Sequence, residues 1–340
     1  MPQSLFCLVG PTAVGKSAVA LALASELDAE IVSADSMQVY RGMDIGTAKP
    51  SAEDRARVRH HLIDVVEPSE SFDVARYREL ALAAIADMRA RGKTPLVVGG
   101  SGMYLRALTE GVFDGPSADP IFRERLENLD AATLHSRLAE LDAAAAKNIG
   151  MHNKRRLIRA LEVIEATGKK FSEQQTQWRT ELSSKTQNPK PKETPSAKLQ
   201  KTSKDLQLGD WKFSGNWGLG FGVFQFVGLQ RERADLYRHI ESRVDEMFAA
   251  GFIQEVRDLL KRGLAQNATA MQAAGYREVT AHLRGELSLA DAKRLTTQRT
   301  RQLAKRQLTW FRHQATVSWL DVKPDENIST IVKKVVQAAA

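Results

Sequence analysis

The chain has 340 residues, 43% of them hydrophobic, a formal net charge of +8 and one cysteine. That is enough apolar material for a main domain and a smaller one, so a disordered chain is excluded, as are an intramolecular disulfide framework and a cysteine metal cluster. No run reaches membrane-span length and residues 1–9 lack a basic leader, so a soluble cytoplasmic protein with no membrane partner is expected; the basic balance suits an anionic partner such as nucleic acid.

In chain order, Leu5–Val9 is a short apolar run of the kind buried on both faces of a parallel sheet, with Cys7 as a small hydrophobe inside it. Gly10–Ser17 follows, then Ala18–Leu27 in helical rhythm. Glu30–Ser33 reads as a second strand, and His61–Val66 as a further strand ended by Pro68. Asp73–Arg91 is an amphipathic helix closed near Gly92. Pro95–Val98 is another apolar strand, followed by Gly99, Gly100 and Gly102, where a helix opens. Strand and helix in alternation predict a parallel α/β sheet. Residues 119–168 hold helical segments and no strand, which predicts a helical insertion over 116–182. Ser183–Asp205 is rich in Lys, Thr, Ser and Pro and is expected to be a flexible basic loop. Gly215–Gly222 leads into a return strand, Val223–Leu229. Arg231–Arg312 reads as mostly helical, Trp319–Val322 as a last strand, and a helix closes the chain. The core is therefore expected from 1–115 together with 206–340.

The most specific local signal is Gly10-Pro11-Thr12-Ala13-Val14-Gly15-Lys16-Ser17, which fits G-x-x-x-x-G-K-[ST] between a strand and a helix. Its glycines let successive N–H groups face phosphate oxygens, Lys16 supplies a cation, and the Ser17 hydroxyl can ligate Mg²⁺. This predicts a P-loop NTPase-like parallel sheet flanked by helices, binding a diphosphate. An acidic Mg²⁺ partner at the end of an apolar strand is not evident. Pro95–Val98 runs into Gly99-Gly100-Ser101, and Asp64 stands within the expected strand His61–Val66. A second element, Ser33–Tyr40, follows the second strand. Asp35 there faces the ligand crevice of an open sheet. It fits equally a general base and a turn or helix cap.

These blocks carry a resemblance. Gly10–Ser17, then Ser33–Pro50, Val98–Tyr104, Arg155–Val163, Ala274–Glu278 and Lys305–Arg312 are similar to the tRNA dimethylallyltransferase (tRNA isopentenyltransferase) family, in order and over nearly the whole chain. The resemblance implies transfer of a dimethylallyl group from dimethylallyl diphosphate to N6 of adenosine-37, beside the anticodon of tRNAs reading codons that begin with U. It implies that Gly10, Pro11, Thr12, Ala13, Val14, Gly15, Lys16 and Ser17 hold the donor diphosphate with Mg²⁺ on Ser17. Asp35 is implied as the base, and Arg243 as a diphosphate contact. For the anticodon stem-loop it implies Asp35, Ser36, Met37, Gln38, Ser101 (a position more often Thr), Arg123, Arg155, Arg156, Leu157, Ile158, Arg159, Gln272, Ala273, Ala274, Gly275, Tyr276 and Arg277, with Lys305, Arg306 and Arg312 as phosphate contacts.

From the residues alone, Leu157, Ile158 and Leu161 form a buried helix stripe, Tyr276, Trp310 and Phe311 suit packing, and His60 and His61 are structural. A monomer is expected. The alternative from another enzyme class is a P-loop small-molecule kinase, and a non-catalytic RNA-binding protein is a third reading, against which the intact Lys16, Ser17 and Asp35 argue. The chain departs from the family pattern at Ser183–Gly222.

Overall fold

The computed structural model describes residues 5–112, 115–116, 119–174 and 224–339. Chain contacts divide into two units, Met1–Gly111 with Leu208–Ala340, and Val112–Gln207. The expected loop at 183–205, and Gly215–Gly222, lie outside the described residues.

The first unit is built on a six-stranded parallel sheet ordered β3-β2-β4-β1-β5-β6. The strands are β1 (Leu5–Val9), β2 (Ala29–Ala34), β3 (His60–His61), β4 (Thr94–Gly99), β5 (Phe224–Gln230) and β6 (Ser318–Asp321). Its helices are α1 (Lys16–Glu26), α2 (Ala52–Arg57), α3 (Val74–Ala90) and α4 (Gly102–Glu110), then α10 (Arg233–Ala249), α11 (Phe252–Lys261), α12 (Tyr276–Leu283), α13 (Leu289–Gln314) and α14 (Ile328–Ala339). Strand residues alternate between two cores, as the two-residue period of a sheet requires. Cys7, Val9, Val32 and Val97 face the core that includes Tyr77, Phe252 and Tyr276. Leu8, Ile31 and Leu96 face the core of α1 and α14, with Val19, Leu23 and Val335. This is the expected α/β class. Burial raises the Cys7 thiol well above its usual range, so it behaves as a hydrophobe and not as a nucleophile.

The register sets the site. Val9 pairs with Gly99 on one side and Gly228 on the other, and Ala34 pairs with Gly99. The C-terminal ends of β1, β2 and β4 therefore lie level, and the loops that leave them converge. One expected strand is corrected. His61–Val66 does not run as a strand: only His60–His61 pairs with β2. Leu62 and Asp64 take positive φ, 63° and 57°, which turns the chain out of the sheet. Val66 rejoins only through a bridge to Tyr40. The helix expected over Ala18–Leu27 also begins earlier, at Lys16.

The second unit holds α5 (Pro120–Glu127), α6 (Ala131–Leu141), α7 (Ala143–Ile149), α8 (Lys154–Thr167) and α9 (Phe171–Gln174), with no strand among its described residues. Asp119, Asp130, Asp142 and Asn153 cap α5 to α8, each accepting a backbone N–H from the first turn. Its core gathers Leu134, Leu138, Leu157, Leu161 and Val163.

Candidate active site

Gly10 has φ 143°, and a Cβ there would stand 2.5 Å from the Leu229 carbonyl oxygen on β5. Gly15 has φ 105° and precedes the first residue of α1. Both positions thus need glycine, one for backbone approach and one for the left-handed turn. Between them the loop curls around Lys16, whose Nζ donates to the Gly10 and Pro11 carbonyls at 2.9 and 2.7 Å. Arg231 braces the loop from outside: its Nε donates to the Val14 carbonyl at 3.1 Å, and its Nη1 to Asp235 at 2.8 Å. Thr12 is held twice. Its Oγ1 accepts from Arg243 Nη1 on α10 at 3.0 Å, and its N–H donates to Gln307 Oε1 on α13 at 2.8 Å.

Two cavities meet at this loop. One, of about 450 Å³, is lined by Thr12, Ala13, Gly15, Lys16, Ser17 and Gln38, with Gly100 and His239 opposite. The other, of about 220 Å³, is lined by Ser36, Met37, Gly46 and Ser101, and by Gln272–Ala274 and Arg306 across from them. Thr12, Asp35, Thr47, Arg243 and Gln307 line both. Asp35 therefore stands where an anion on the loop and a second molecule would meet. Its Oδ1 accepts the Met37 N–H at 2.8 Å, which forms the turn after β2. Ser101, at the start of α4, pins the same turn, accepting the Ser36 N–H at 3.0 Å and bonding the Ser36 hydroxyl at 3.2 Å.

The electrostatics suit an anion. Burial pushes Lys16 down to about 8, with Asp35 opposing that shift and Arg243 adding to it. Burial likewise lowers Arg243, against the pull of Asp35 and Glu246. Two desolvated cations held close together are relieved by an anion, and one carboxylate compensates them only in part.

The remaining residues divide. Gly10, Pro11 and Val14 are buried and offer backbone only. Tyr276 is fully buried, and Leu157 and Ile158 lie in the core of the insertion, so these three side chains pack and do not form an exposed contact surface. Gly275 caps α12 with φ 96°. Arg277 is exposed, with Nε on the Met271 carbonyl at 3.0 Å. Lys305 is exposed and lines neither cavity; Arg312 is exposed and reaches Gln230 at 3.2 Å. In the second unit Arg123 and Arg159 both bind the buried Glu162, whereas Arg155 and Arg156 are exposed with no ion pair among the described residues. Asp64, weighed as an acidic metal partner, binds Lys49 at 2.6 Å and Arg55 at 2.7 Å, away from both cavities. His60 bonds the Val58 carbonyl and His61 bonds Glu30, both structural as expected. Among the described residues no group of three His, Cys, Asp or Glu could hold a metal, and no helix is long and apolar enough to cross a membrane.

Sequence reading missed Gln307, Thr47, Arg299 and Glu255. Arg299, Leu303 and Arg306 line the smaller cavity at helical spacing, the one signal available for that face of α13. Gln307 reaches Thr12 across 295 residues, which no local pattern reports.

Residues 38–314 match the family model described as IPP transferase. The chain is 43% identical over 334 residues to a tRNA dimethylallyltransferase of Geobacter metallireducens, covering 96% of each chain. It is 39% identical over 340 residues to that of Geobacillus thermodenitrificans, covering 98% of this chain and 96% of the relative. Among solved structures it resembles the tRNA isopentenylpyrophosphate transferase of Bacillus halodurans (36% identity, TM-score 0.63, covering 99% and 96%). It also resembles a eukaryotic dimethylallyltransferase acting on tRNA (26% identity, TM-score 0.69, covering 94% of this chain and 74% of that one).

Proposed function

This chain belongs to the IPP transferase family, and from that premise we propose that it transfers a dimethylallyl group from dimethylallyl diphosphate to N6 of adenosine-37 in tRNA. The observation that carries the reading is Asp35, a carboxylate shared by a cationic phosphate-loop cavity and a second cavity walled by Ser36–Met37 and Gln272–Ala274. The donor diphosphate lies on the loop, contacting Lys16, Arg243 and the N–H groups at the start of α1. The adenine, swung out of its stack, enters the second cavity, because a stacked base cannot reach an enclosed donor.

The N6 lone pair forms a bond to the allylic carbon as the carbon–oxygen bond to the diphosphate breaks. Asp35 takes the proton that N6 loses. Lys16 turns from the Gly10 and Pro11 carbonyls to the departing oxygens and, with Arg243, offsets their growing charge. A divalent cation fits here. Ser17 offers an exposed hydroxyl at the start of α1 in the same cavity, and Mg²⁺ is commonly held by one or two protein oxygens plus substrate phosphates. When bound it neutralises leaving-group charge.

The test is incubation with labelled dimethylallyl diphosphate, Mg²⁺ and bulk tRNA, followed by nucleoside analysis. Label in N6-substituted adenosine is expected. ATP or GTP hydrolysis with no label in RNA would replace this reading with a small-molecule kinase.

A further inference from the structure

We infer that Glu255 is a positioning residue for the acceptor cavity, tying its two walls together; this rests on the function proposed above.

Glu255 lies on α11 and lines neither cavity. Its carboxylate nevertheless collects donors from the two segments that carry the walls of the smaller one, Asp44–Gly46 and the Tyr276 that follows Gln272–Ala274. Oε2 accepts the N–H groups of Asp44 at 3.0 Å and Ile45 at 2.6 Å, and Oε1 accepts the Gly46 N–H at 3.1 Å. Three consecutive N–H groups converging on one anion form a backbone nest, here filled by the chain's own side chain. Oε1 also accepts the Tyr276 hydroxyl at 2.8 Å. Burial, with the Glu255 charge beside it, holds that phenol well above its usual range, so it remains a donor.

The first three donors lead into Gly46 and Thr47, which line the cavity, and the fourth follows Gln272–Ala274, which line it opposite. Close packing completes the joint. A Cβ on Gly46 would stand 2.4 Å from the Phe252 ring and 2.5 Å from the Tyr276 ring, and those rings meet edge to face at 5.0 Å. The Thr47 carbonyl in turn faces the Gln38 amide at 3.4 Å.

Four donors around two oxygens make the charge state decisive. A glutamine would put an NH₂ where one oxygen now faces two donors, whichever way the amide turns. Glu255→Gln therefore tests the assignment with little change of size. Two measurements are made on the full chain: affinity for inorganic pyrophosphate with Mg²⁺, and affinity for two anticodon stem-loops, one carrying adenosine and one an abasic site at the acceptor position.

The wild type is expected to prefer the adenosine stem-loop. Glu255→Gln is expected to reduce that preference by about tenfold, with pyrophosphate affinity changed less than about twofold. Tyr276→Phe is expected to act in the same direction more weakly, and to add little to Glu255→Gln, because both remove one joint. It also carries the test if Glu255→Gln does not fold. A retained preference, an equal fall in pyrophosphate affinity, or additive effects of the two changes would overturn the assignment. Failure of the wild type to label tRNA would instead overturn the proposed function, and the two failures are read from different assays.

Discussion

Asp35 uses one oxygen to hold a turn, and that separates its two possible duties. Asparagine can still accept the Met37 N–H that Oδ1 now accepts at 2.8 Å, so Asp35→Asn keeps the turn and removes the basic oxygen. Single-turnover transfer is expected to fall about a hundred- to ten-thousand-fold, with affinity for both substrates kept. Transfer within a few-fold of wild type would assign Asp35 to the turn alone. Lys16 gives a second prediction, with a sign that can be worked out. Its pKa in the fold is about 8, below the 10.5 of an exposed lysine. The unfolded chain therefore binds this proton more readily in between, so the charged Lys16 costs the fold stability and that cost fades as pH rises across the window. Pyrophosphate affinity should move the opposite way, falling as pH passes about 8, because the neutral amine attracts no anion. Calorimetric titration and thermal melts over the same pH range would show the two trends diverge in the wild type, and Lys16→Met should flatten both. Parallel trends would remove Lys16 from the diphosphate contact.

At the scale of elements, the loop after β4 is shaped by α13. A Cβ on Gly100 would lie 2.4 Å from Gln307 Nε2, and one on Gly102 would lie 2.2 Å from the Trp310 ring. Gly102→Ala is therefore expected to cost about 1–3 kcal/mol as an overpacked joint, read from denaturant midpoints. It should also slow transfer, since Gln307 holds Thr12 from the same helix; an unchanged midpoint would mean that the joint yields freely. This joint shows what was legible in the sequence. The strand–loop–helix around Gly10–Ser17 was readable because an apolar run, a glycine pattern and a helix lie next to one another. The strands Glu30–Ser33 and Pro95–Val98 and the helix Asp73–Arg91 followed from apolar patterning, whereas 119–168 and Arg231–Arg312 read only as helical stretches and the helix Ala52–Arg57 gave no signal. His61–Val66 was misread because its apolar residues resemble a strand, while the left-handed turns at Leu62 and Asp64 carry no glycine to announce them. Gln307 and Glu255 were invisible, since their partners lie 295 and about 210 residues away. The glycines at 100 and 102 read in the sequence only as the opening of a helix, because the Gln307 and Trp310 side chains that crowd them come from a distant segment.

Over the whole molecule the net charge of +8 favours an RNA partner, but not every arginine is free to serve one. Glu162 is almost fully buried and carries Arg123 at 2.8 Å, Arg159 at 2.6 Å and the Asp119 N–H at 2.7 Å. Burial raises its carboxyl, and these hydrogen bonds more than offset that, leaving it below the usual range. A depressed carboxylate contributes stability that is present at neutral pH and is lost as pH falls below its ordinary value. Arg123 and Arg159 therefore hold the second unit together whatever else they touch. Arg155 and Arg156 have no such duty and are exposed at the start of α8. Their replacement together by glutamine should weaken tRNA binding and reduce the slope of log affinity against log salt by about 0.7–0.9 for each phosphate no longer neutralised, leaving melting temperature and pyrophosphate affinity unchanged. Arg123→Gln and Arg159→Gln should instead lower the melting temperature, most visibly at neutral pH, where Glu162 is charged and left short of a partner. Salt-dependent binding and melting measured on all three variants decide the matter. A slope unchanged by the replacement of Arg155 and Arg156 would remove α8 from the RNA-binding surface and leave its basic face a solvated one.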